Sequence, residues 1–304
     1  MRRWYVIAPP YIWLLLFFLV PFFIVLKISL SDVATAMPPY IPTYDFSEGF
    51  TGLKTFLSGL DFENYGLLFS DSLYIGSYWS SIKIAALATT LTLLVAYPIA
   101  YGMARAPKEW QATLMMLVIL PFWTTFLPRA HAWMGLMGKN SWFNGLVTDA
   151  YDALTPAAWA LKSVPMMHTN FAVVLVMVYT YLPFMILPLH ASLERLDPTL
   201  DEAAMDLGSR PYRVFRDVTL PQSIPGIIAG GLLVFIPAAG ELVIPTLVGD
   251  ASSPMIGRVI SDEFAAARDW PMASSVAVAL LVLMVGPMMI YSHYQSKSQQ
   301  GNAK

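Results

Sequence analysis

Residues 171–191 read FAVVLVMVYTYLPFMILPLHA, an apolar run without a single Asp, Glu, Lys or Arg. The hydrocarbon core of a bilayer is about 30 Å thick, and a helix needs about 20 mostly apolar residues to cross it. In lipid, each backbone N–H and C=O must be paired within its own segment, so a run of this length is predicted to be helical. This stretch alone therefore favours a membrane protein.

Five further stretches share this character. Together they predict an all-α membrane protein, a polytopic bundle of about six transmembrane helices, within a single domain of residues 1–304. The predicted spans are residues 5–30, 77–104, 112–136, 171–191, 223–248 and 273–294. We expect the first to be an uncleaved anchor, because a signal peptide's hydrophobic region has only about 7–15 residues. Prolines within these runs predict bent helices that pack against one another.

The composition agrees with this class. Of 304 residues, 57% are hydrophobic and 12% are charged, whereas about 25% are charged in an average soluble domain. The net charge of −2 argues against a nucleic-acid-binding protein. The absence of cysteine excludes disulfides and thiolate metal sites, and the four histidines share no metal-ligand spacing. We therefore expect no catalytic residues, no metal and no cofactor.

Basic residues in the short connections predict the orientation of the chain. If both termini are cytoplasmic, ten of the eighteen Lys and Arg residues lie on that side: Arg2, Arg3, Arg105, Lys108, Arg195, Arg210, Arg213, Arg216, Lys297 and Lys304. Twelve of the twenty acidic residues fall in the predicted outer loops, which suits an outer face that attracts cations. The one long cytoplasmic loop is then residues 192–222.

This loop has the local features of two short helices joined by a turn. Asp197 suits an N-cap, and Pro198 suits the first helical position. Gly208 supplies the left-handed residue that ends the first helix. A second helix is predicted to begin at Pro211 and to end at Pro221. We refer to residues 197–221 as the elbow, and we expect it to lie beneath the membrane.

The spacing within the elbow resembles a family motif. Glu202-Ala203-Ala204, three residues, Gly208, nine residues and Val218-Thr219-Leu220-Pro221 match the EAA loop (EAA, three residues, G, nine residues, I-x-L-P) of permease subunits in binding-protein-dependent ABC importers, with Val for Ile at 218. Around the elbow, most of the chain from about residue 77 onward resembles the polyamine branch of that family, and most of all the first permease of putrescine importers. The stretches that carry this likeness are Pro121-Phe122-Trp123-Thr124, Arg129, Ala132-Trp133, Phe235-Ile236-Pro237, Gly240-Glu241, Val243-Ile244-Pro245 and Ile256-Gly257-Arg258.

The resemblance implies a transport subunit that is not itself an enzyme, in an ATP-driven importer of a polyamine, putrescine or spermidine, in the bacterial inner membrane. Its partners would be a second, paralogous permease, two ATPase subunits inside the cell and a soluble substrate-binding protein outside. The elbow would be a coupling helix seated in a groove of the ATPase, through Glu202, Ala203, Ala204, Gly208, Leu220 and Pro221. For Glu202, the alternative is a purely local role at the positive end of its helix.

Glu241 is the candidate substrate residue. A carboxylate within a span is costly unless it faces water, a cation or a partner. Transporters commonly bind substrate where helices are broken in mid-membrane, and Glu241 lies between Pro237 and Pro245. We therefore expect Glu241 to face the pathway and to attract an ammonium group.

Aromatic residues are expected to complete this site. Trp123, Phe126 or Tyr181 would offer cation–π faces to the substrate. The alternative is a structural carboxylate at position 241, paired with Arg129 or Lys83, or a carboxylate that lies near the outer interface.

Other functional classes stay open at this point. A secondary transporter or channel would also contain Pro-broken helices and a buried acid, but it would lack the elbow and show inverted repeats. An intramembrane enzyme would need a nucleophile–base pair or metal ligands on the spans, and no such cluster stands out in the sequence. An ABC importer permease for another small solute is the nearest alternative.

Overall fold

The computed structural model describes residues 4–43, residue 56, residues 58–155 and residues 163–301, and these are predominantly helical. In chain order, the elements are α1 (Trp4–Leu14), α2 (Val20–Ser29), β1 (Asp32–Val33), β2 (Tyr40–Ile41), α3 (Glu63–Ser70), α4 (Ser72–Arg105), α5 (Lys108–Ile119), α6 (Phe126–Met137), α7 (Trp142–Leu154), α8 (Asn170–Glu194), α9 (Pro198–Asp206), α10 (Pro211–Val214), α11 (Leu220–Ala239), α12 (Val243–Val248), α13 (Ile256–Asp262) and α14 (Trp270–Gly301). β1 and β2 form a short antiparallel hairpin.

Four helical segments of the described chain are long and apolar enough to cross a membrane. They are Ile7–Ser29, Ser72–Arg105, Asn170–Glu194 and Pro211–Ala239. The bent pair Lys108–Trp123 and Phe126–Met137 is a fifth candidate, and the apolar part of α14 is shorter, at Trp270–Gly286. Each of these segments overlaps a predicted span. The structure therefore confirms an all-α, polytopic membrane fold.

The third predicted span, residues 112–136, is broken rather than straight. α5 continues through a 3-10 turn at Leu120–Trp123, and the chain then turns by 89° before α6 begins. Pro121 removes a backbone donor at this point, and the Thr124 hydroxyl donates to the Pro121 carbonyl at 2.8 Å. The sequence showed the proline but not the size of the bend.

The fifth predicted span, residues 223–248, also differs. α11 ends at Ala239, and the helix resumes only at Val243 as the short α12. Towards the elbow, the second predicted helix does not end at Pro221 but continues through α10 and a π turn into α11. The elbow and the fifth span therefore share one continuous helical segment, from Pro211 to Ala239.

A π turn explains why a proline does not end this helix. In the turn at Phe215–Thr219, the N–H of Leu220 donates to the Phe215 carbonyl, five residues back. A helical proline lacks an N–H and crowds the carbonyl four residues before it, and the wider turn just before Pro221 relieves that crowding. The same arrangement occurs at Leu15–Leu19, two residues before Pro21.

Two compact units make up the chain: residues up to Trp79 together with those from Met255 onward, and residues from Ser80 to Pro254. In the first unit, α14 packs against α2, and the Ser275 hydroxyl donates to the Ser29 carbonyl at 2.8 Å. Its buried cluster consists of Leu68, Tyr74, Ile256, Val259, Met272 and Val276. The single domain of residues 1–304 stays a prediction.

In the second unit, α8 and α11 form the most extensive helix pair of the described chain. Gly226 and Gly230 let the two backbones approach closely, since a Cβ added to Gly226 would lie 2.5 Å from the Cβ of Ser192. At Gly230, an added Cβ would lie 2.8 Å from the sulfur of Met185. Small residues spaced by four are a common means of packing helices in membranes.

Candidate coupling surface and substrate pathway

The first helix of the elbow begins as its sequence predicts. The Asp197 side chain accepts a hydrogen bond from the Thr199 N–H at 3.0 Å, and Pro198 is the first helical residue. This bond lowers the pKa of Asp197, because it stabilises the charged carboxylate. An N-cap of this kind fixes where the helix starts.

Gly208 ends the same helix, as predicted. Its φ of 84° lies in the left-handed region. The Gly208 N–H donates to the Met205 carbonyl at 2.8 Å, and the Ser209 N–H donates to the Ala204 carbonyl at 3.1 Å. These two bonds form a Schellman motif, which needs a left-handed residue at this position.

One face of α9 is left to solvent in the isolated chain. Glu202 and Ala203 are exposed, and Leu207 is 88% exposed. Leu200 and Met205 add further exposed apolar surface. Of the other residues predicted to couple to an ATPase, Gly208 and Pro221 are exposed, whereas Ala204 and Leu220 are half-buried.

The opposite face of α9 is bound to the bundle through Asp201. Arg105 at the end of α4 forms an ion pair with this carboxylate, and the Thr219 hydroxyl donates to it at 3.2 Å. Neither contact was predicted, because Arg105 and Asp201 lie 96 positions apart in the chain. A signal was present: a helix that lies beneath a bundle needs a polar contact on its inner face, and Arg105 closes the second predicted span.

The structure brings two of the predicted pathway residues together. The Tyr181 hydroxyl donates to Glu241 Oε2 at 2.5 Å. Glu241 Oε1 accepts from the N–H of Val243 at 3.0 Å and from that of Ile244 at 3.4 Å. The carboxylate therefore caps α12, and it has found donors for both of its oxygens.

Aromatic rings extend from Tyr181 to the break before α6. Its ring lies 6.3 Å from that of Phe184, which in turn lies 5.2 Å from that of Phe122, edge to face. The Arg129 guanidinium lies 5.1 Å from the centre of the Phe122 ring. Phe122 and Phe184 were not predicted as pathway residues, although Phe122 lies in the quoted Pro121-Phe122-Trp123-Thr124 stretch.

Trp123 and Phe126 are placed differently. Trp123 is 77% exposed, and Phe126 is half-buried at the start of α6. Within the described contacts, neither ring meets Glu241 or Tyr181. Of the predicted aromatic residues, the described contacts therefore join only Tyr181 to Glu241, whereas Trp123 and Phe126 flank the break.

The depth of Glu241 follows from helix geometry. α11 has twenty residues, from Leu220 to Ala239, and at 1.5 Å per residue this is about 30 Å along the helix axis. That length is about the thickness of the hydrocarbon core. Glu241 thus lies at the end of the span remote from the elbow, and its role as substrate residue or structural cap stays open.

Comparison with known proteins agrees with the motif. Residues 96–298 match the family described as binding-protein-dependent transport system inner membrane component. The spermidine/putrescine transport system permease protein PotB of Haemophilus influenzae is 35% identical over 284 residues, which cover 93% of this chain and 90% of the relative. PotB of Escherichia coli K12 is 35% identical over 229 residues, covering 75% and 80%.

Solved structures support the fold. A chain of a bacterial ABC transporter that imports the acidic polysaccharide alginate aligns with a TM-score of 0.63 over 97% of this chain and 96% of its own, at 15% identity. At that identity the likeness concerns the fold alone. The chain is a multi-pass inner membrane transport subunit rather than an enzyme, and it belongs to the family of inner membrane components of binding-protein-dependent transport systems.

Proposed function

We propose that this permease imports a polyamine, putrescine or spermidine, by alternating access driven by separate ATPase subunits. The observation that carries the proposal is the elbow, an EAA-type segment with one face bound to the bundle and the other exposed. Two relatives that match over 93% and 75% of the chain are named as spermidine/putrescine permeases. We extend their substrate class to this chain.

The elbow is assigned to the cytoplasmic side, with both termini on the same side. Its exposed apolar residues Leu200 and Leu207 would be buried in a groove of an ATPase, while Glu202 would meet a basic residue there. The complete importer would contain a second, paralogous permease, two ATPase subunits and a soluble binding protein. ATP-driven closure of the ATPases would then move the elbow and, with it, the helical segment that continues to Ala239.

The pathway site is assigned to Glu241, Tyr181 and the neighbouring rings. A polyamine carries ammonium groups joined by methylene chains, so a carboxylate and aromatic faces suit its two kinds of surface. Glu241 lies at the end of α11 remote from the elbow, where a substrate released by an outer binding protein would first meet the permease. Trp123, exposed beside the break, and Phe126 are assigned to the same route.

A permease for another small solute is the second candidate. Both oxygens of Glu241 already have donors from within the chain, which is what a structural cap requires. A more distant relative, the molybdenum transport system permease protein ModB of Mycobacterium bovis, is 26% identical over 69% of this chain. Permeases named for different solutes thus resemble this chain, and the substrate must be measured.

Uptake by the reconstituted importer tests the proposal. The chain would be purified with its partner permease and ATPase subunits, placed in liposomes and supplied with the binding protein, ATP and labelled putrescine or spermidine. ATP-dependent uptake of either polyamine is expected, with unlabelled polyamine but not molybdate as a competitor. ATP-dependent uptake of neither polyamine by an assembled complex would contradict the substrate class, and failure to recruit an ATPase would contradict the coupling role.

A further inference from the structure

We infer that Asp201 is a positioning residue, which joins the elbow to the end of α4 so that a movement of the elbow reaches the bundle. The inference rests on the proposed function. Both oxygens of this carboxylate are bound by other segments: Arg105 Nη2 donates to Oδ2, and the Thr219 hydroxyl donates to Oδ1 at 3.2 Å. The end of α4, the helix α9 and the π turn before α11 thus meet at one side chain.

Burial makes the ion pair between Asp201 and Arg105 costly to break. The Asp201 side chain is 12% exposed and that of Arg105 is 33% exposed, whereas the neighbouring pair of Arg216 and Asp217 is more than half exposed on both sides. Exposed ion pairs contribute little to stability, but a buried charge that loses its partner is costly. The elbow therefore has an energetic reason to move together with α4.

Aromatic contacts reinforce the same junction. Tyr97, Tyr101 and Arg105 recur at intervals of four and share one face of α4. The Phe215 ring lies edge-on to the rings of Tyr97, at 5.6 Å, and Tyr101, at 6.1 Å. The Arg105 guanidinium lies 5.5 Å from the Tyr101 ring centre, and the hydroxyls of Tyr97 and Ser223 are 2.8 Å apart.

The two faces of α9 have different roles, ATPase binding and contact with the bundle. Glu202 and Leu207 face away from the bundle and are free to bind an ATPase, whereas Asp201 faces the bundle. Removal of the Asp201 charge leaves the outer face unchanged. Such a variant would still recruit an ATPase that hydrolyses ATP, but the movement would be transmitted less effectively.

The measured quantity is the number of ATP molecules hydrolysed per polyamine imported, in the reconstituted importer. Asp201→Asn and Arg105→Gln should each co-purify with the ATPase subunits, hydrolyse ATP and raise this ratio about tenfold, since each removes the charge from one side of the ion pair. The reciprocal variant, Arg105→Asp with Asp201→Arg, should return the ratio towards that of the unmodified chain. Asp262→Asn is the matched control, because it removes a carboxylate paired with Arg258 in α13 and should leave the ratio unchanged.

The possible outcomes separate the inference from the proposed function. Unchanged ratios in both single variants overturn the inference, as does loss of ATPase co-purification in Asp201→Asn, which would assign the residue to formation of the elbow. A reciprocal variant with a ratio no lower than those of the single variants overturns the pairing. An unmodified chain that recruits no ATPase overturns the proposed function and the inference with it.

Discussion

The elbow and the Glu241 site are built in opposite ways. The elbow is shaped by neighbours in sequence: Asp197 binds the N–H of Thr199, and Gly208 closes the helix through bonds to carbonyls a few residues back. At the other end of α11, Glu241 is held partly by Tyr181, sixty positions away in the chain. Local hydrogen bonds therefore set where the first helix of the elbow begins and ends, whereas the Glu241 site also needs a contact between distant segments.

The carboxylates of Glu202 and Glu241 also differ in whether their oxygens are available to another molecule. Glu202 is exposed, and none of the described hydrogen bonds or ion pairs involves it. Glu241 is half-buried, and both of its oxygens accept bonds. A second chain can thus reach Glu202 without cost to the fold, whereas a cation at Glu241 must share its carboxylate with Tyr181 and two backbone amides.

The largest effect on transport is expected from substitution of Gly208. Proline fixes φ near −65°, so Gly208→Pro cannot adopt the observed φ of 84° and the elbow would lose its turn. Transport should be abolished, while the amount of chain extracted from the membrane stays the same. Uptake assays and immunoblots of membrane fractions measure the two quantities.

Gly208→Asn is the matched control for this change. Asparagine tolerates the left-handed region, and a Cβ at this position would meet nothing within 4 Å. Most of the uptake should therefore remain. Normal uptake by Gly208→Pro would show that the elbow's shape is irrelevant to transport.

Charge reversal at Glu202 tests the outer face of the elbow. Because this side chain has no described partner within the chain, Glu202→Lys should leave the fold intact but prevent ATPase binding and hence uptake. Co-purification of the ATPase subunits measures the effect. Asp206→Lys reverses an exposed charge on the same helix and should retain binding; equal binding by both variants would support the purely local role of Glu202.

A smaller effect on uptake is expected from substitution of Glu241, at the opposite end of α11. Glu241→Gln keeps an oxygen for the backbone amides of α12 but removes the charge that would attract the substrate. A hydrogen bond to a charged group contributes about 1.5–3 kcal/mol, and its loss corresponds to an increase of about tenfold or more in KM. Uptake kinetics should therefore show a KM for polyamine raised by about this factor. Tyr181→Phe, which removes only the hydroxyl, should change KM less.

Unchanged kinetics in Glu241→Gln would favour the structural alternative. The sensitive measurement for that role is stability, because a cap that holds α12 through Val243 and Ile244 would respond to Glu241→Ala in thermal unfolding. Capping residues typically contribute about 0.5–2 kcal/mol. A stability loss without a transport defect would assign Glu241 to the cap alone.

The difference between the two regions also explains what the sequence could predict. Asp197, Pro198 and Gly208 each have a strong positional preference, and the structure places each of them where that preference predicts. The sequence assigned Tyr181 and Glu241 to one site but did not predict the hydrogen bond between them. No local pattern sets the distance between α8 and the end of α11. Asp201 was missed for the same reason, since its partner Arg105 is 96 positions away.

α11 connects the two regions, and its packing gives the smallest expected effect. An alanine Cβ at Gly226 would lie 2.5 Å from Ser192 Cβ and 3.0 Å from the Pro188 carbonyl oxygen, so α8 and α11 would have to separate. Overpacking of this kind costs about 1–3 kcal/mol. Thermal unfolding in detergent should therefore occur at a lower temperature in Gly226→Ala, with uptake reduced at most modestly.

Gly231→Ala provides the comparison on the same helix. Its added Cβ would meet only Thr89 Cγ2, at 4.0 Å, so the substitution is expected to leave the unfolding temperature unchanged or to raise it slightly, because alanine favours helix over glycine. Equal unfolding temperatures for the two variants would mean that α8 and α11 do not pack as closely as Gly226 allows.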